Sequence, residues 1–350
     1  MPSVILAGDI GGTKSHLGLF RPDGTMLTLL RDRTYTTIEF PNLEAVVTDF
    51  LGDVSAVNAA CFGVPGPVVD GVSHATNVSW DMRESALAAA LGGAATRLIN
   101  DLEATAYGML HLNNHEITML HKGEIRATPA TIAVIAAGTG LGESALVATR
   151  AGWYAVATEG GHSDFAPRGR DQIELLEFLA REFGSHVSFE RVLSGPGLHN
   201  IYLFLVARAA APAPGWLVER MRTEDPSAAI SEAALAGNDP SCVRAMEMFV
   251  AIYGAEAANL ALKYLALGGV YVGGGIAPKI LPFLQRGDFV DASSTRDGSK
   301  QRWSESRSTC HSIPQRRCLA PPMWRPQCSE NHAARVSIRP ARDLTGAYIR

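Results

Sequence analysis

Asp9 ends an apolar run that begins at Val4, and Gly11-Gly12-Thr13 follows at once. His16-Leu17-Gly18-Leu19 then alternates, so the stretch reads as strand, tight turn, strand. Two adjacent glycines leave successive N–H groups free to converge on one point, which suits a phosphate. Thr13 adds a hydroxyl, and Asp9 at the strand end can hold a metal ion through water. An ordinary hairpin turn uses the same residue types. The segment from Gly8 to Lys14-Ser15 imitates a P-loop, but Thr13 sits where the second glycine is required. P-loop and Rossmann loops also open a helix, whereas Ser15 to Phe20 reads as a strand.

The same grammar returns further along. Thr131 to Ala137 is an apolar run, Gly138-Thr139-Gly140 a Gly/Thr turn, and Leu141 to Ala148 a second run. Residues 4–20 and 132–148 therefore read as two copies of one supersecondary unit. Two such hairpins facing each other can divide a polyphosphate, one taking the inner phosphates and the other the terminal one. The alternative is two unrelated hairpins. Val270-Tyr271-Val272 runs into Gly273-Gly274-Gly275, where a missing Cβ lets a flat ring lie on the backbone or lets a helix pack tightly.

Three further polar stretches carry candidate chemistry. Asn100-Asp101 lies where a strand meets a helix, the edge at which open α/β sheets place ligands. Asp101 is either an N-cap or a functional carboxylate. In Glu159-Gly160-Gly161-His162 the acid and the imidazole are three apart around a Gly-Gly turn, so both can face one small polar ligand. Glu190, taken alone, reads as a solvated surface residue.

The elements that must position these residues alternate as in an α/β layer. Leu43 to Phe50 has helical spacing, Ala56 to Val64 reads as a buried strand, and Glu84 to Leu91 as an Ala-rich helix. Arg97 to Ile99 is a short strand, and a helix opens at Asp101. Asp171 to Phe183 is a helix with Asp171 and Glu174 at capping-box spacing and Gly184 beyond it. Cys242 to Leu267 is a long apolar-striped helix, with Gly268-Gly269 as its expected cap.

A chain of 350 residues is long enough for two domains with proper cores. Its 47% hydrophobic and 19% charged residues describe a soluble globular protein. No apolar run approaches the ~20 residues that span a bilayer. A signal peptide is not expected, because the start lacks basic residues and Asp9 interrupts the apolar run. Five cysteines without framework spacing suggest a reducing, cytoplasmic setting. A net charge of −4 gives no reason to expect nucleic acid. That charge conceals a break: residues 1–285 carry a net −10, and residues 286–350 a net +6 with three of the five cysteines.

Six stretches occur in a fixed order: Asp9-Ile10-Gly11-Gly12-Thr13, Asn100-Asp101, Gly138-Thr139-Gly140-Leu141-Gly142, Glu159-Gly160-Gly161-His162, Glu190-Arg191-Val192-Leu193-Ser194-Gly195 and Gly273-Gly274-Gly275. In order and spacing they resemble the bacterial ATP-dependent glucokinase family, over about residues 3–285. The resemblance implies an α/β, two-domain actin-like (ribonuclease H-like) ATPase fold with an interdomain cleft. Residues 1–110 would be a smaller domain with the first phosphate hairpin, and 111–285 a larger one with the second hairpin and the sugar ligands. It differs from the zinc-containing repressor–kinase branch, because no Cys cluster follows His162. A DNA-binding helix-turn-helix is not expected either, since the first hairpin begins almost at Met1.

Carried over residue by residue, Asp101 resembles the general base that takes the proton of the glucose C6 hydroxyl. Asn100, Asp101, Glu159, His162 and Glu190 resemble the sugar ligands. Gly8, Asp9, Gly11, Gly12, Thr13, Gly138, Thr139, Gly140, Gly273, Gly274 and Gly275 resemble the ATP site, with Mg²⁺ reached by Asp9 through water. Hexose hydroxyls both donate and accept, which suits carboxylates and a His. The implied partners are glucose and ATP, without nucleic acid or membrane, and a homodimer stays open. A catalytically impaired sugar-binding or sensing protein of the same fold is the alternative. The departure is residues 286–350, expected to be irregular or disordered because no amphipathic period or family-like final strand and helix is visible. A zinc site from Cys310, Cys318, Cys328 and His332 meets no standard ligand spacing.

Overall fold

The computed structural model describes residues 3–23, 26–54, 56–74, 80–112, 114–123, 129–150, 152–209, 212–294 and 308–311. The first half opens with β1 (Ile5–Ile10), β2 (Lys14–Asp23) and β3 (Met26–Thr36). Helix α1 (Leu43–Leu51) follows, started by Asn42, whose side chain accepts from Ala45 N–H. Its Leu43, Val46, Val47 and Phe50 are buried, the i, i+3, i+4, i+7 stripe of a core-facing helix. Strand β4 (Ala59–Val64) starts three residues later than the sequence suggested. The short strands β5 (Val68–Val69), β6 (Val72–His74) and β7 (Asp81–Arg83) make a small sheet of their own. Then come α2 (Glu84–Ala90), β8 (Ala95–Asn100) and α3 (Asp101–Met109).

The second half contains β9 (Ile117–His121), β10 (Ile132–Ala137), β11 (Leu141–Thr149) and β12 (Gly152–Thr158). Five helices follow: α4 (Gly169–Phe183), α5 (Gly195–Ala209), α6 (Gly215–Thr223), α7 (Pro226–Ala236) and α8 (Pro240–Lys263). Both α7 and α8 start with an Asp N-cap and Pro in the first turn, a strong local start signal. The chain closes with β13 (Gly269–Gly273), α9 (Leu281–Leu284), α10 (Asp288–Ser294) and β14 (Ser308–His311). Helix α8 is buried nearly all round, so it is the hub of the larger core.

The two main sheets repeat one order. The first runs β3-β2-β1-β4-β8 and the second β12-β11-β10-β13-β14, with β9 added at the edge. In each, an antiparallel hairpin is joined on its first strand by two parallel strands. The internal duplication read from two Gly/Thr hairpins therefore extends to whole-sheet topology.

Helix α3 follows the first sheet in sequence but packs on the second. Leu102 lies where a Cβ on Gly142 of β11 would fall, 2.3 Å from its Cδ2, and Tyr107 Oη accepts from Ala155 N–H of β12 at 3.0 Å. The ends of two helices differ from expectation. Helix α4 begins at Gly169 with Arg168 at its N-cap, so Asp171 and Glu174 form no capping box. Asp171 instead accepts from Arg208 and Arg244, and two guanidinium partners outcompete the backbone. Helix α8 ends at Tyr264 rather than at Gly268-Gly269. Gly268 is needed for passage, since a Cβ there would lie 2.3 Å from the Ala130 carbonyl oxygen.

The expectation of an irregular tail from residue 286 is overturned for two segments. Helix α10 buries Phe289 and Ser293, one face of two turns, against α8. Phe289 stacks edge-on to Tyr253 at 5.9 Å, and its carbonyl sits where a Cβ on Gly254 would clash at 2.1 Å. Arg168 Nη1 donates to Ala292 O at 2.6 Å and holds the helix end. Strand β14 pairs parallel to β13 and antiparallel to β9. Residues 295–307 and 312–350, with Cys318, Cys328 and His332, lie outside the described residues. Phe289→Ala removes a fully buried ring, and we expect it to lower stability by about 3–5 kcal/mol in denaturant unfolding.

Candidate active site

Asn100 and Asp101 stand at the β8–α3 junction, and the cap falls to Asn100. Its Oδ1 accepts from Leu102 N–H at 2.8 Å, while Glu103 Oε2 accepts from Asn100 N–H at 3.0 Å, a complete capping box. The Asn100 amide also donates to Gly66 O at 3.0 Å. Asp101 is thereby the first helical residue, and its Oδ1 accepts from Leu102 N–H at 2.9 Å. Burial pushes its carboxyl up to about 6; the Leu102 N–H works against this, and the Asp9 and Glu159 carboxylates push it further up. Asp101 thus feels both Asp9 and Glu159, although the three come from separate stretches.

The first hairpin turn is braced from behind by Thr37. The Thr37 hydroxyl donates to Gly11 O at 2.8 Å and lies 2.9 Å from Ser15 Oγ, and Thr37 N–H donates to Thr13 O at 2.9 Å. Gly11 N–H closes the turn onto Lys14 O at 2.9 Å, which leaves Gly12 and Thr13 exposed at the tip. Gly8 is required by packing, because a Cβ there would lie 2.5 Å from the Phe62 ring. Asp9 sits at the end of β1 opposite His16, and its carboxyl is raised, chiefly by burial, with His16 pulling it back.

The second hairpin turn is tied to the sugar candidates. Gly138 N–H donates to Gly140 O at 2.8 Å, and Gly138 O accepts from Gly195 N–H at 2.9 Å. Glu190 is half-buried rather than a solvated surface residue: its Oε2 accepts from Leu141 N–H at 3.0 Å. A Cβ on Gly140 would sit 2.5 Å from that same oxygen. Glu159 and His162 are exposed and lie 3.9 Å apart on a single 3₁₀ turn. That turn lies flat on β11, with Gly161 over Leu141 O and Gly160 over the Glu143 carboxylate. On the third glycine stretch, Gly274 has φ +82° and would place a Cβ 2.3 Å from Ala137 O, whereas Gly275 faces open space. The structure therefore relates Asp101 to Asp9 and to Glu159, pairs Glu159 with His162, and sets Gly140 and Leu141 against Glu190.

A family model described as Glucokinase matches residues 6–304. The glucokinase of Synechocystis sp. is 40% identical over 316 residues, covering 83% of this chain and 89% of its own length. The chain belongs to the glucokinase family. Among solved structures, a glucokinase from an Antarctic psychrotroph superposes with a TM-score of 0.79 at 29% identity, over 91% of this chain and 97% of that one. A Balamuthia mandrillaris glucokinase crystallised with glucose shares the fold, with a TM-score of 0.75 at 22% identity over 91% and 92% of the chains. Family membership makes this glucokinase-family chain an ATP-dependent phosphotransferase and a glucose kinase. The sensing alternative gains no support from these likenesses. The family match runs past residue 285, the edge drawn from composition, and includes α10.

Among the described residues no helix is long and apolar enough to cross a membrane. Two residues of the chain have roles that sequence alone does not reveal, Glu143 and Tyr253. Glu143 is 1% exposed on β11, and among the described residues its Oε1 has no hydrogen-bond partner. Burial pushes its carboxyl up to about 7, with Glu256 adding to the rise and Lys263 opposing it. The available signal is an acidic residue inside the apolar run from Leu141 to Ala148.

Two predictions follow from this geometry. Because the folded-state carboxyl of Glu143 lies above its ordinary 4.5, wild-type stability from this group is full below pH 4.5 and is lost as pH rises through about 7. Glu143→Gln should match wild type in urea unfolding at pH 4.5 and exceed it at pH 8. Equal stability differences at both pH values would contradict the burial argument. Gly140→Val should displace Glu190 and weaken both ATP and glucose binding, measured by calorimetry. Loss of ATP binding alone would separate Glu190 from the sugar.

Proposed function

We propose that this enzyme transfers the γ-phosphoryl group of ATP to the C6 hydroxyl of glucose, giving glucose 6-phosphate, with Asp101 as general base. The observation that carries this reading is the division of labour at the start of α3. Asn100 does the capping, which leaves Asp101 as a buried carboxylate poised near 6, beside Asp9 and Glu159. A base of that kind is mostly ionised at neutral pH yet basic enough to take a proton in the transition state. The Balamuthia glucokinase with its bound glucose supports a sugar as the acceptor here as well.

Glu159, His162, Glu190 and the remaining amide hydrogen of Asn100 would hold the sugar hydroxyls. Glu159 and His162 are exposed toward solvent, where a sugar can reach them, and Glu190 fixes its carboxylate through Leu141 before any ligand arrives. Gly11, Gly12 and Thr13 would meet phosphates from one side, and Gly138, Thr139 and Gly140 from the other. Gly8 keeps β1 close to Phe62 so that the first turn is placed rather than floppy. Gly273, Gly274 and Gly275 would face the adenosine, with Gly275 opening on free space.

The donor set fits Mg²⁺. Asp9 offers hard carboxylate oxygens that would reach the ion through water, and its burial leaves it favouring a nearby cation. Among the described residues no three metal-binding side chains form a cage, which suits an ion whose other ligands are waters and phosphate oxygens. When bound, the ion would neutralise charge on the transferring phosphoryl group. The chain's own part is to orient the C6 hydroxyl, accept its proton at Asp101 and keep water from competing as acceptor.

The test is Asp101→Asn, which keeps the Oδ1 contact to Leu102 N–H. It should lower kcat by about 10²–10⁴-fold and leave glucose affinity nearly unchanged. In the wild type kcat/KM should fall as pH drops through about 6, because protonated Asp101 cannot act as a base, and this limb should vanish in the variant. Near-normal turnover by Asp101→Asn would leave Asp101 as a helix-start residue only.

A further inference from the structure

Strands β10 and β13 run parallel and pair as far as Ala136 with Gly273. Beyond that point Gly274 turns away in the left-handed region, and the backbone of Ala137 has no strand left to pair with on that side. The hydroxyl of Tyr253, a fully buried residue of α8, fills the gap. Ala137 N–H donates to Tyr253 Oη at 3.0 Å. The single hydroxyl proton lies within reach of Gly273 O at 3.3 Å and Ile135 O at 3.4 Å. The Ala137 carbonyl meanwhile accepts from Ile276 N–H at 3.2 Å and covers Gly274.

One hydroxyl thus touches the last residue before the Gly138–Gly140 turn and the first residue of the Gly273–Gly275 turn. The ring that carries it is fixed from two sides, edge-on to Phe249 at 5.9 Å and to Phe289 of α10 at 5.9 Å. A phenol so clamped has no freedom to follow the strands; the strand ends must settle on it. Without the hydroxyl the Ala137 N–H would be a buried donor with no acceptor, which the backbone avoids by shifting or by admitting water.

We propose that Tyr253 is a positioning residue for the nucleotide, its hydroxyl setting the spacing between the Gly138–Gly140 and Gly273–Gly275 turns. The proposal rests on the reading of those two turns as the phosphate and adenosine sides of the ATP site. The hydrogen bonds of its hydroxyl go to Ala137, Ile135 and Gly273, at or beside those two turns, so the effect is expected on the nucleotide more than on the sugar.

Tyr253→Phe keeps the ring and both aromatic contacts and removes only the hydroxyl. ADP and glucose binding are measured by calorimetry, KM for each substrate by steady-state kinetics, and melting temperature by circular dichroism. We expect ADP affinity to fall and the KM for ATP to rise about five- to tenfold, the scale of one lost buried hydrogen bond, while glucose affinity stays within about twofold. A parallel variant, Gly138→Val, tests the underlying reading. If Gly138→Val weakens ADP binding and Tyr253→Phe does not, the positioning role alone is refuted. Intact ADP binding in Gly138→Val refutes the assignment of the turn, and the role of Tyr253 with it. Equal weakening of both ligands by Tyr253→Phe, with a lower melting temperature, also refutes it, by showing a general packing role.

Discussion

The backbone of Leu141 is engaged from two sides, and the geometry of the site depends on it. Its N–H is held by Glu190 Oε2 at 3.0 Å, and its carbonyl lies under Gly161, where a Cβ would stand only 2.1 Å away. One residue therefore locks the Gly138–Gly140 turn to Glu190 and to the Glu159–His162 turn. A displacement of either turn is felt by the other. For a transfer between two bound substrates this rigidity matters, because a misplacement of about 1 Å can cost ~10²-fold in rate. The glycines at 140, 160 and 161 follow from the same constraint. None of them has positive φ; each has a neighbour too close to admit a Cβ.

Charge adds a second constraint. Asp101, at the start of α3, feels the carboxylates of Asp9 on β1 and of Glu159 in the turn after β12, while Asp9 is raised by its own burial and pulled back by His16. Burial and like charge are costly for a fold, and they hold a carboxyl near neutrality. Glu143 shows the other outcome of burial. Sealed under Gly160 and repelled by Glu256, its carboxyl rises to about 7, with no solvent route to a substrate. Two carboxyls raised by the same cause thus differ in surroundings, because Asp101 is half-buried at the start of α3 and Glu143 is fully enclosed on β11.

Local patterns were legible in the sequence; long-range partnerships were not. The strands of both Gly/Thr hairpins could be read because apolar runs and glycine turns are short-range signals, and α1 could be read from Leu43, Val46, Val47 and Phe50. The choice between Asn100 and Asp101 as cap could not, since adjacent residues of equal capping ability differ only in the phase of the helix. Asp171 and Glu174 have capping-box spacing, yet two arginines from α5 and α8 take the Asp171 carboxylate. The role of Tyr253 rests on a bond across 116 residues, and that of Glu190 on one across 49, distances at which no periodicity operates.

The same reasoning explains why composition misplaced the end of the ordered chain. Charge and residue content change near residue 286, but a seven-residue helix needs only two inward positions to dock, and Phe289 and Ser293 supply them at i and i+4. What makes those positions inward is Gly254, which lets α8 receive the backbone of Phe289 at a distance no other residue would permit. The decisive residue thus lies 35 positions upstream, inside a helix where its smallness looked like generic packing. Strand β14 extends the point: it takes the place in the second sheet that β8 takes in the first, next to the strand parallel to the hairpin's first strand. Strand β14, beyond the composition break, therefore completes the duplicated topology, and the break falls before two elements of the fold rather than after them.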